Sequence, residues 1–317
     1  MKIFITGATG FIGKNLTRRL LSSGHNVYAL CRDKNKLLDI KSQNLFLLTG
    51  DIEDTDGYKQ VFEKGIDIVY HLAAIPGQKW IFRKKDYHQI NVRSTARLLA
   101  ACHGRVKRFI FASSVNALPE IYETDQEDYG RSKQEAEKIV ESYKDKGLEI
   151  VILRPAVVYG PGDTKGMMLK LLQLVKKGKF HIIGTGKNVI PLVHVDDLVD
   201  AFISAQKAKN GSLSEIIGPE NLSFEKITEI ISNSFAVPAP KLKIPVWMAR
   251  IAAFLSENIA TLLKVEPLVS HHRVNMVIRH QALSSEKAHR DLDYQAKIKF
   301  IDGIASTINW YKQNGYL

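Results

Sequence analysis

The chain has 317 residues, of which 45% are hydrophobic and 25% charged, the mix of an ordered globular protein rather than a disordered one. It shows no apolar run near the roughly 20 residues that cross a bilayer, and Met1-Lys2-Ile3-Phe4-Ile5-Thr6-Gly7 carries neither the apolar stretch nor the cleavage site of a secretory leader. Two cysteines, Cys31 and Cys102, exclude a disulfide framework and suit a reducing, cytoplasmic setting, while a formal charge of +12 spread along the chain favours a basic surface drawing in an anionic cofactor over a nucleic-acid interface.

From residue 2 to about 155, short apolar runs alternate with amphipathic stretches. Ile3-Phe4-Ile5, Val27-Tyr28-Ala29-Leu30, Phe46-Leu47-Leu48, Ile68-Val69-Tyr70, Phe109-Ile110-Phe111 and Ile150-Val151-Ile152-Leu153 are too continuously apolar for one-sided sheets, so they predict strands covered on both faces. Helical patterns fall between them at 11–23, 54–64, 88–103 and 129–146. Repeated strand–helix alternation predicts an α/β fold with a doubly wound parallel sheet. Beyond 155 the alternation fades into Pro- and Gly-punctuated chain, with 195–208 returning as a helix on the main domain. The expected division is a dinucleotide-binding domain over 1–155 and 190–209 and a smaller mixed α/β substrate lobe over 156–189 and 210–317.

Thr6-Gly7-Ala8-Thr9-Gly10-Phe11-Ile12-Gly13 follows the first strand and opens the first helix. Gly7 would allow the tight turn, Gly10 the approach of a pyrophosphate and Gly13 close helix–strand packing. The helix start then offers free N–H groups and a positive dipole end to phosphates. The second strand ends Leu30-Cys31-Arg32-Asp33-Lys34, with Cys31 where a ribose-binding acid would stand and Arg32 after it. That favours NADP(H), whose 2′-phosphate an Arg accommodates. Asp33, one residue late, keeps NAD open if it folds back.

Tyr129-Gly130-Arg131-Ser132-Lys133 places Tyr129 and Lys133 on one face of a helix. A free phenol titrates near 10, and an ammonium close by favours the phenolate, so Tyr129 can exchange a proton with a ketone or alcohol. Lys133 would also hold ribose hydroxyls. Ser114, at the end of the Phe109–Ala112 run, would orient the substrate oxygen. A surface Tyr–Lys pair is the alternative meaning of this spacing. His271-His272 is the nearest approach to a metal pair, but adjacent helical residues diverge, and no metal is expected.

These motifs together resemble the extended short-chain dehydrogenase/reductase group, the NAD-dependent epimerase/dehydratase superfamily, over nearly the full length and with a Rossmann fold implied. The Gly-x-x-Gly-x-x-Gly spacing carries much of the likeness. Asp51-Ile52 look like the group's adenine-contacting pair, His71-Leu72-Ala73-Ala74 like the segment beneath the cofactor, and Asn91 like its helix Asn. A loop cap and a buried strand-end histidine are the plainer meanings of Asp51 and His71. Arg154-Pro155-Ala156-Val157-Val158-Tyr159-Gly160-Pro161-Gly162, Val193-His194-Val195-Asp196-Asp197-Leu198 and Ser285 through Leu292 also match, which brings Pro155 to the cofactor.

Departures from the pattern direct the choice of branch. Dehydratases of the group resemble one another in an Asp-Glu pair where this chain has Val115-Asn116. Epimerases and dehydratases carry an Asn where Val157 stands, and a diphosphate-clamping Arg where Ile190 aligns. An apolar residue cannot satisfy a phosphate, although Arg290 still matches an epimerase Arg, or is a surface ion pair. The resemblance therefore points to the hydroxysteroid dehydrogenase and dihydroflavonol reductase branch: an NADP(H)-dependent alcohol–ketone oxidoreductase acting on a small, apolar substrate. A nucleotide-sugar 4-epimerase or 4-ketoreductase is the first alternative, and a non-catalytic dinucleotide-sensing regulator the second. A homodimer is what the group implies. The apolar stripe from Ile244 to Leu263 (Trp247, Ile251, Phe254, Leu255, Ile259, Leu262, Leu263) is expected to be core, a pocket lining or a membrane-surface contact. The 14 residues between Ser114 and Tyr129 form a short connection for this group.

Overall fold

A computed structural model describes residues 1–77, 79, 81–121 and 128–317. The strands β1 (Lys2–Thr6), β2 (Asn26–Cys31), β3 (Leu45–Thr49), β4 (Ile68–His71), β5 (Arg108–Ala112) and β6 (Glu149–Pro155) are joined by Ser212–Ile216 in one seven-stranded sheet. Its order is β3–β2–β1–β4–β5–β6–(Ser212–Ile216), and every pairing is parallel. The runs at β1, β4, β5 and β6 are buried on both faces, as the unbroken apolar sequence requires when helices cover both sides. This is the doubly wound Rossmann architecture.

Several expectations need correction. β3 lies at the sheet edge and is only half-buried, with Phe46 exposed and stacked on Tyr28; an edge strand has one neighbour fewer to cover it. Residues 54–64 form two 3₁₀ turns, Thr55–Gly57 and Lys59–Lys64, rather than an α-helix. Asp54 caps the start of the first by accepting from Gly57 N. The 88–103 helix starts earlier, at Lys84, and passes through a π-helical turn at His88–Arg93 before Ser94–Cys102. The 129–146 segment is helical over Asp128–Glu141. Ser212–Ile216, assigned by sequence to the second lobe, is instead the seventh strand, paired with Val151–Pro155.

The first helix, Phe11–Ser22, buries Gly13, Leu16, Thr17 and Leu20 at three- and four-residue spacing. The helix Val195–Ser204 packs beside it, joined by an Arg19–Asp200 ion pair of 2.5 Å. The remaining chain builds a second core from Tyr159, Leu172, Ile190, Phe224, Ile304 and their neighbours. The Ile244–Leu263 stripe is not core. In the helix Val246–Leu263 only Ala249, Ala253 and Ala260 are buried, while Trp247, Ile251, Phe254, Leu255, Ile259, Leu262 and Leu263 are all more than half exposed. By length and composition this helix could cross a bilayer, which counting strictly apolar runs does not reveal.

Candidate active site

The strand order reverses at β1, with β2 on one side and β4 on the other, and a crevice at such a switch point, beyond the C-terminal strand ends, is where open α/β sheets take their ligands. Gly7, φ +73°, leaves β1 in the left-handed region, and a Cβ there would lie 2.7 Å from the Leu72 carbonyl carbon and the Ala73 nitrogen. Gly10 N donates to Gly7 O at 3.0 Å and closes the turn. A Cβ on Gly13 would meet Gly7 O at 2.1 Å. The roles differ slightly from expectation: Gly7 admits the end of β4, and Gly13 admits the turn itself. Gly13→Ala should therefore destabilise the protein by about 1–3 kcal/mol, read as a lower midpoint in chemical denaturation.

The helix that follows has Gly10 at its N-cap, no side-chain cap and no acid in its first turn. Its N–H groups and positive dipole end remain available to an anion, so the turn fits a dinucleotide pyrophosphate. Thr9, Phe11 and Ile12 are half-buried around this turn, and Phe11 and Asn15 lie under Gly162 of the Gly160-Pro161-Gly162 segment.

At the end of β2, Cys31 is buried and Arg32 points outward, 82% exposed, with its guanidinium 3.8 Å from Asp51. Asp33 does not fold back; its carboxylate accepts from Asn35 N at 3.0 Å and caps the next turn. Asp51 accepts from Glu53 N at 3.0 Å, the loop cap its sequence allows, and Ile52 beside it is buried.

The end of β4 is fixed by a buried chain of hydroxyls. Thr95 Oγ1 donates to Asn91 O at 2.7 Å, so it accepts from His71 Nε2 at 2.8 Å. His71 Nδ1 then accepts from Thr6 Oγ1 at 2.7 Å, and Thr6 Oγ1 accepts from Ala73 N at 3.2 Å. Burial, with Lys133 adding repulsion, pushes the His71 imidazole down to about 3, so it stays neutral and the tautomer holds. His71 is thus a strand-end brace that aims Leu72, Ala73 and Ala74 along the crevice. Asn91, in the π-helical turn, accepts from Ile75 N at 2.8 Å and donates to Ser132 Oγ at 2.9 Å. It ties the segment after β4 to the helix of Tyr129 and is 1% exposed. Pro155 is buried at the end of β6.

Tyr129 and Lys133 lie on the buried side of the helix Asp128–Glu141. The Tyr129 ring packs with Ile75 and meets Tyr87 edge-on, centroids 6.4 Å apart. Lys133 Nζ donates to Ala112 O at 2.7 Å and stands 4.6 Å over the Phe111 ring. Burial lowers its ammonium to about 8, against the opposing charge of Glu137. The next residue along from Ala112 and Ser113, Ser114, begins a 3₁₀ turn with Oγ accepting from Asn116 N at 3.2 Å. The connection from Ser114 to Tyr129 lies partly outside the described residues.

Sequence reading missed a buried network behind these groups. Glu137, one helical turn beyond Lys133, accepts from Ser113 Oγ at 2.5 Å and from Arg154 Nε and Nη2 at 2.9 and 2.6 Å; Arg154 Nη1 reaches Glu215 at 3.0 Å. A carboxylate on the buried face of the Tyr–Lys helix was the available signal. Thr6 was also missed. Of the diphosphate positions, Ile190 is buried in the second core and Arg290 is a surface residue paired with Asp291 at 2.9 Å. His271 pairs with Glu257 at 2.8 Å.

Known proteins similar to this chain carry related names. Residues 3–217 match the model of the NAD dependent epimerase/dehydratase family. The chain is 28% identical to a putative dihydroflavonol 4-reductase of Synechocystis sp., over 99% of this chain and 95% of that one. It is 32% identical to a UDP-glucose 4-epimerase of Vibrio cholerae, over 78% of this chain and 80% of that one. The crystal structure of a UDP-glucuronic acid 4-epimerase from Bacillus cereus, in complex with UDP-glucuronic acid and NAD, superposes with a TM-score of 0.78 at 24% identity, covering 99% of this chain and all of that one. The chain belongs to the NAD-dependent epimerase/dehydratase family, the extended short-chain dehydrogenases.

Proposed function

We propose that the protein is an NADP(H)-dependent oxidoreductase that interconverts a secondary alcohol and a ketone on a small, rather apolar substrate. The observation that carries this reading is the buried Lys133 ammonium, one turn from Tyr129 and beside the end of β5. Desolvating a cation is costly, and a phenol that must give or take a proton at neutral pH is a chemical use for it. When bound, the nicotinamide supplies or accepts the hydride. Tyr129 Oη donates the proton to the substrate oxygen in reduction and takes it in oxidation. Lys133 stabilises the phenolate and holds ribose hydroxyls. Ser114 Oγ donates to the substrate oxygen and fixes its orientation. The turn Gly7–Gly13, with Thr9, Phe11 and Ile12, cradles the pyrophosphate; Asp51 and Ile52 border the adenine; Leu72, Ala73, Ala74 and Pro155 line the path to the nicotinamide, with Asn91 bracing it.

The phosphorylated cofactor is favoured by an outward Arg32, a buried neutral Cys31, and an Asp33 already used as a cap. An apolar substrate is favoured over a nucleotide sugar because Ile190 is core and Arg290 is paired at the surface. The likeness to a dihydroflavonol reductase fits this branch, and the two buried free cysteines fit a cytoplasmic setting. The likeness to a UDP-glucose 4-epimerase keeps a second reading in view.

Fluorescence titration with NADPH, NADH and UDP-sugars tests the assignment. NADPH should bind more tightly than NADH, with no response to UDP-sugars and with NADPH consumed in the presence of apolar ketones. Arg32→Ala should reduce the NADPH preference by about tenfold, the worth of a charge-assisted contact. Retained NAD together with a UDP-sugar response would replace this reading with the epimerase one.

A further inference from the structure

The helix Val246–Leu263 packs on the protein through its smallest residues, Ala249, Ala253 and Ala260, together with Val274, Ile183, Ile244 and Ile278. Its largest residues face away. Advancing about 100° per residue, Trp247, Met248, Ile251, Phe254, Leu255, Ile259, Leu262 and Leu263 cover roughly half the helix circumference, all between 47% and 81% exposed. Val265 and Leu268, at 52% and 90%, continue the face past the helix end. Eight large side chains in one arc make an apolar surface beyond the roughly 300–600 Å² that a monomer usually leaves open.

The border of this face is basic. Lys241 and Lys243 precede the helix, Arg250 sits on its polar edge and Lys264 ends it, all exposed. A cleft of about 210 Å³, lined by Lys79, Phe82, Glu257, Pro267 and Arg273 among others, brings the segment after β4 alongside the C-terminal half of the helix. That segment adds exposed Lys79, Arg83, Lys84 and Lys85 and, in their midst, Ile81 at 73% exposure. Of the acids nearby, Glu266 pairs with Arg273 and Glu225 with Lys243, while Glu257 accepts from His271 N at 2.8 Å and Asp86 from Arg83 N at 2.7 Å. We propose that this face seats the protein on the surface of a bilayer carrying anionic lipid, the apolar arc entering the acyl boundary and the basic border meeting the headgroups.

Both halves of the chemistry point to that occupant. Burial of the arc supplies apolar free energy, and lysines and arginines at its rim gain from a negative surface. A second copy docked by a two-fold axis would place the same basic border against itself, because an isologous contact joins identical patches. Crossing the bilayer would require Arg250 and Glu257 to enter hydrocarbon and the alanine face to leave the protein.

Flotation of the full chain with vesicles tests this directly. Equimolar phosphatidylcholine–phosphatidylserine vesicles should carry the protein, and pure phosphatidylcholine vesicles should leave it behind. Phe254→Glu with Leu262→Glu should abolish flotation. Lys84→Glu with Lys85→Glu should weaken it by more than about tenfold, each basic residue near such a surface contributing roughly a factor of five. All four positions are solvent-exposed or border solvent, so the melting transition followed by circular dichroism should not move. Equal binding to neutral vesicles, or none to either, overturns the proposal. So does a dimer in sedimentation velocity that Phe254→Glu dissociates, which assigns the face to a second copy. Retention after alkaline carbonate washing, with the helix protected from protease, overturns it in favour of a spanning helix.

Discussion

Tyr129→Phe is expected to lower kcat/KM for ketone reduction by about 10²–10⁴-fold, the range supplied by a positioned general acid, and to leave dinucleotide affinity unchanged. The substitution removes one oxygen and keeps the ring that packs against Ile75 and Tyr87, so a loss of rate cannot be assigned to a lost core. The pH profile makes the test sharper. Burial lowers the Lys133 ammonium to about 8, so the cation that acidifies the phenol is present below that pH and fades above it. The wild-type kcat/KM should fall as pH rises through about 8, and the residual rate of Tyr129→Phe should lose that dependence. Stability moves the other way. The folded protein holds its Lys133 proton less tightly than the ordinary 10.5, so the unfolded chain binds more protons between about 8 and 10.5, and this group's contribution to stability rises with pH across that window. Equilibrium unfolding monitored over the same pH range separates the two effects. Full activity in Tyr129→Phe would sink the proposed chemistry.

The glycine turn, the parallel sheet and the Tyr–Lys helix were legible because each rests on local rules. Gly7 and Gly13 mark a turn that no side chain fits, continuous apolar runs mark strands covered twice, and a four-residue spacing puts Tyr129 and Lys133 on one face. What the sequence hid depends on partners distant along the chain. Leu45–Thr49 has the same apolar texture as the central strands, and only the absence of a further neighbour makes it a half-exposed edge. The helical pattern of 244–263 identified an apolar face but not what covers it; the inward residues proved to be the alanines, so the large side chains are outside. His71, Asn91 and Thr6 are readable one by one as polar residues in apolar settings. Their meaning comes from closing into a single hydrogen-bonded chain between two strands and a helix. Ile190 could be aligned with a diphosphate position, but its place in the second core requires Phe224, Ile231 and Ile304 to be folded around it.

Glu137→Ala should cost about 3–5 kcal/mol of folding stability, the usual penalty for leaving one partner of a buried ion pair behind. Glu137 is 3% exposed and holds Ser113 and two guanidinium nitrogens at once; its removal leaves Arg154 with Glu215 alone and orphans the Ser113 hydroxyl. Glu137→Gln keeps the shape and can still accept from Ser113 or Arg154, so chemical denaturation should place it between wild type and Glu137→Ala. The same pair of variants reveals whether the network reaches the chemistry. Ser113 precedes Ser114, Arg154 precedes Pro155, and Glu137 follows Lys133 by one turn, so this carboxylate joins three elements that each present a proposed functional residue. Its charge also opposes the burial that depresses the Lys133 ammonium. Neutralising it in Glu137→Gln should move the alkaline fall in kcat/KM to lower pH, with stability only partly reduced. A variant that unfolds more easily but keeps the wild-type pH profile would confine Glu137 to holding the helix on the sheet, whereas a shifted profile makes it the positioning residue that keeps Lys133 charged.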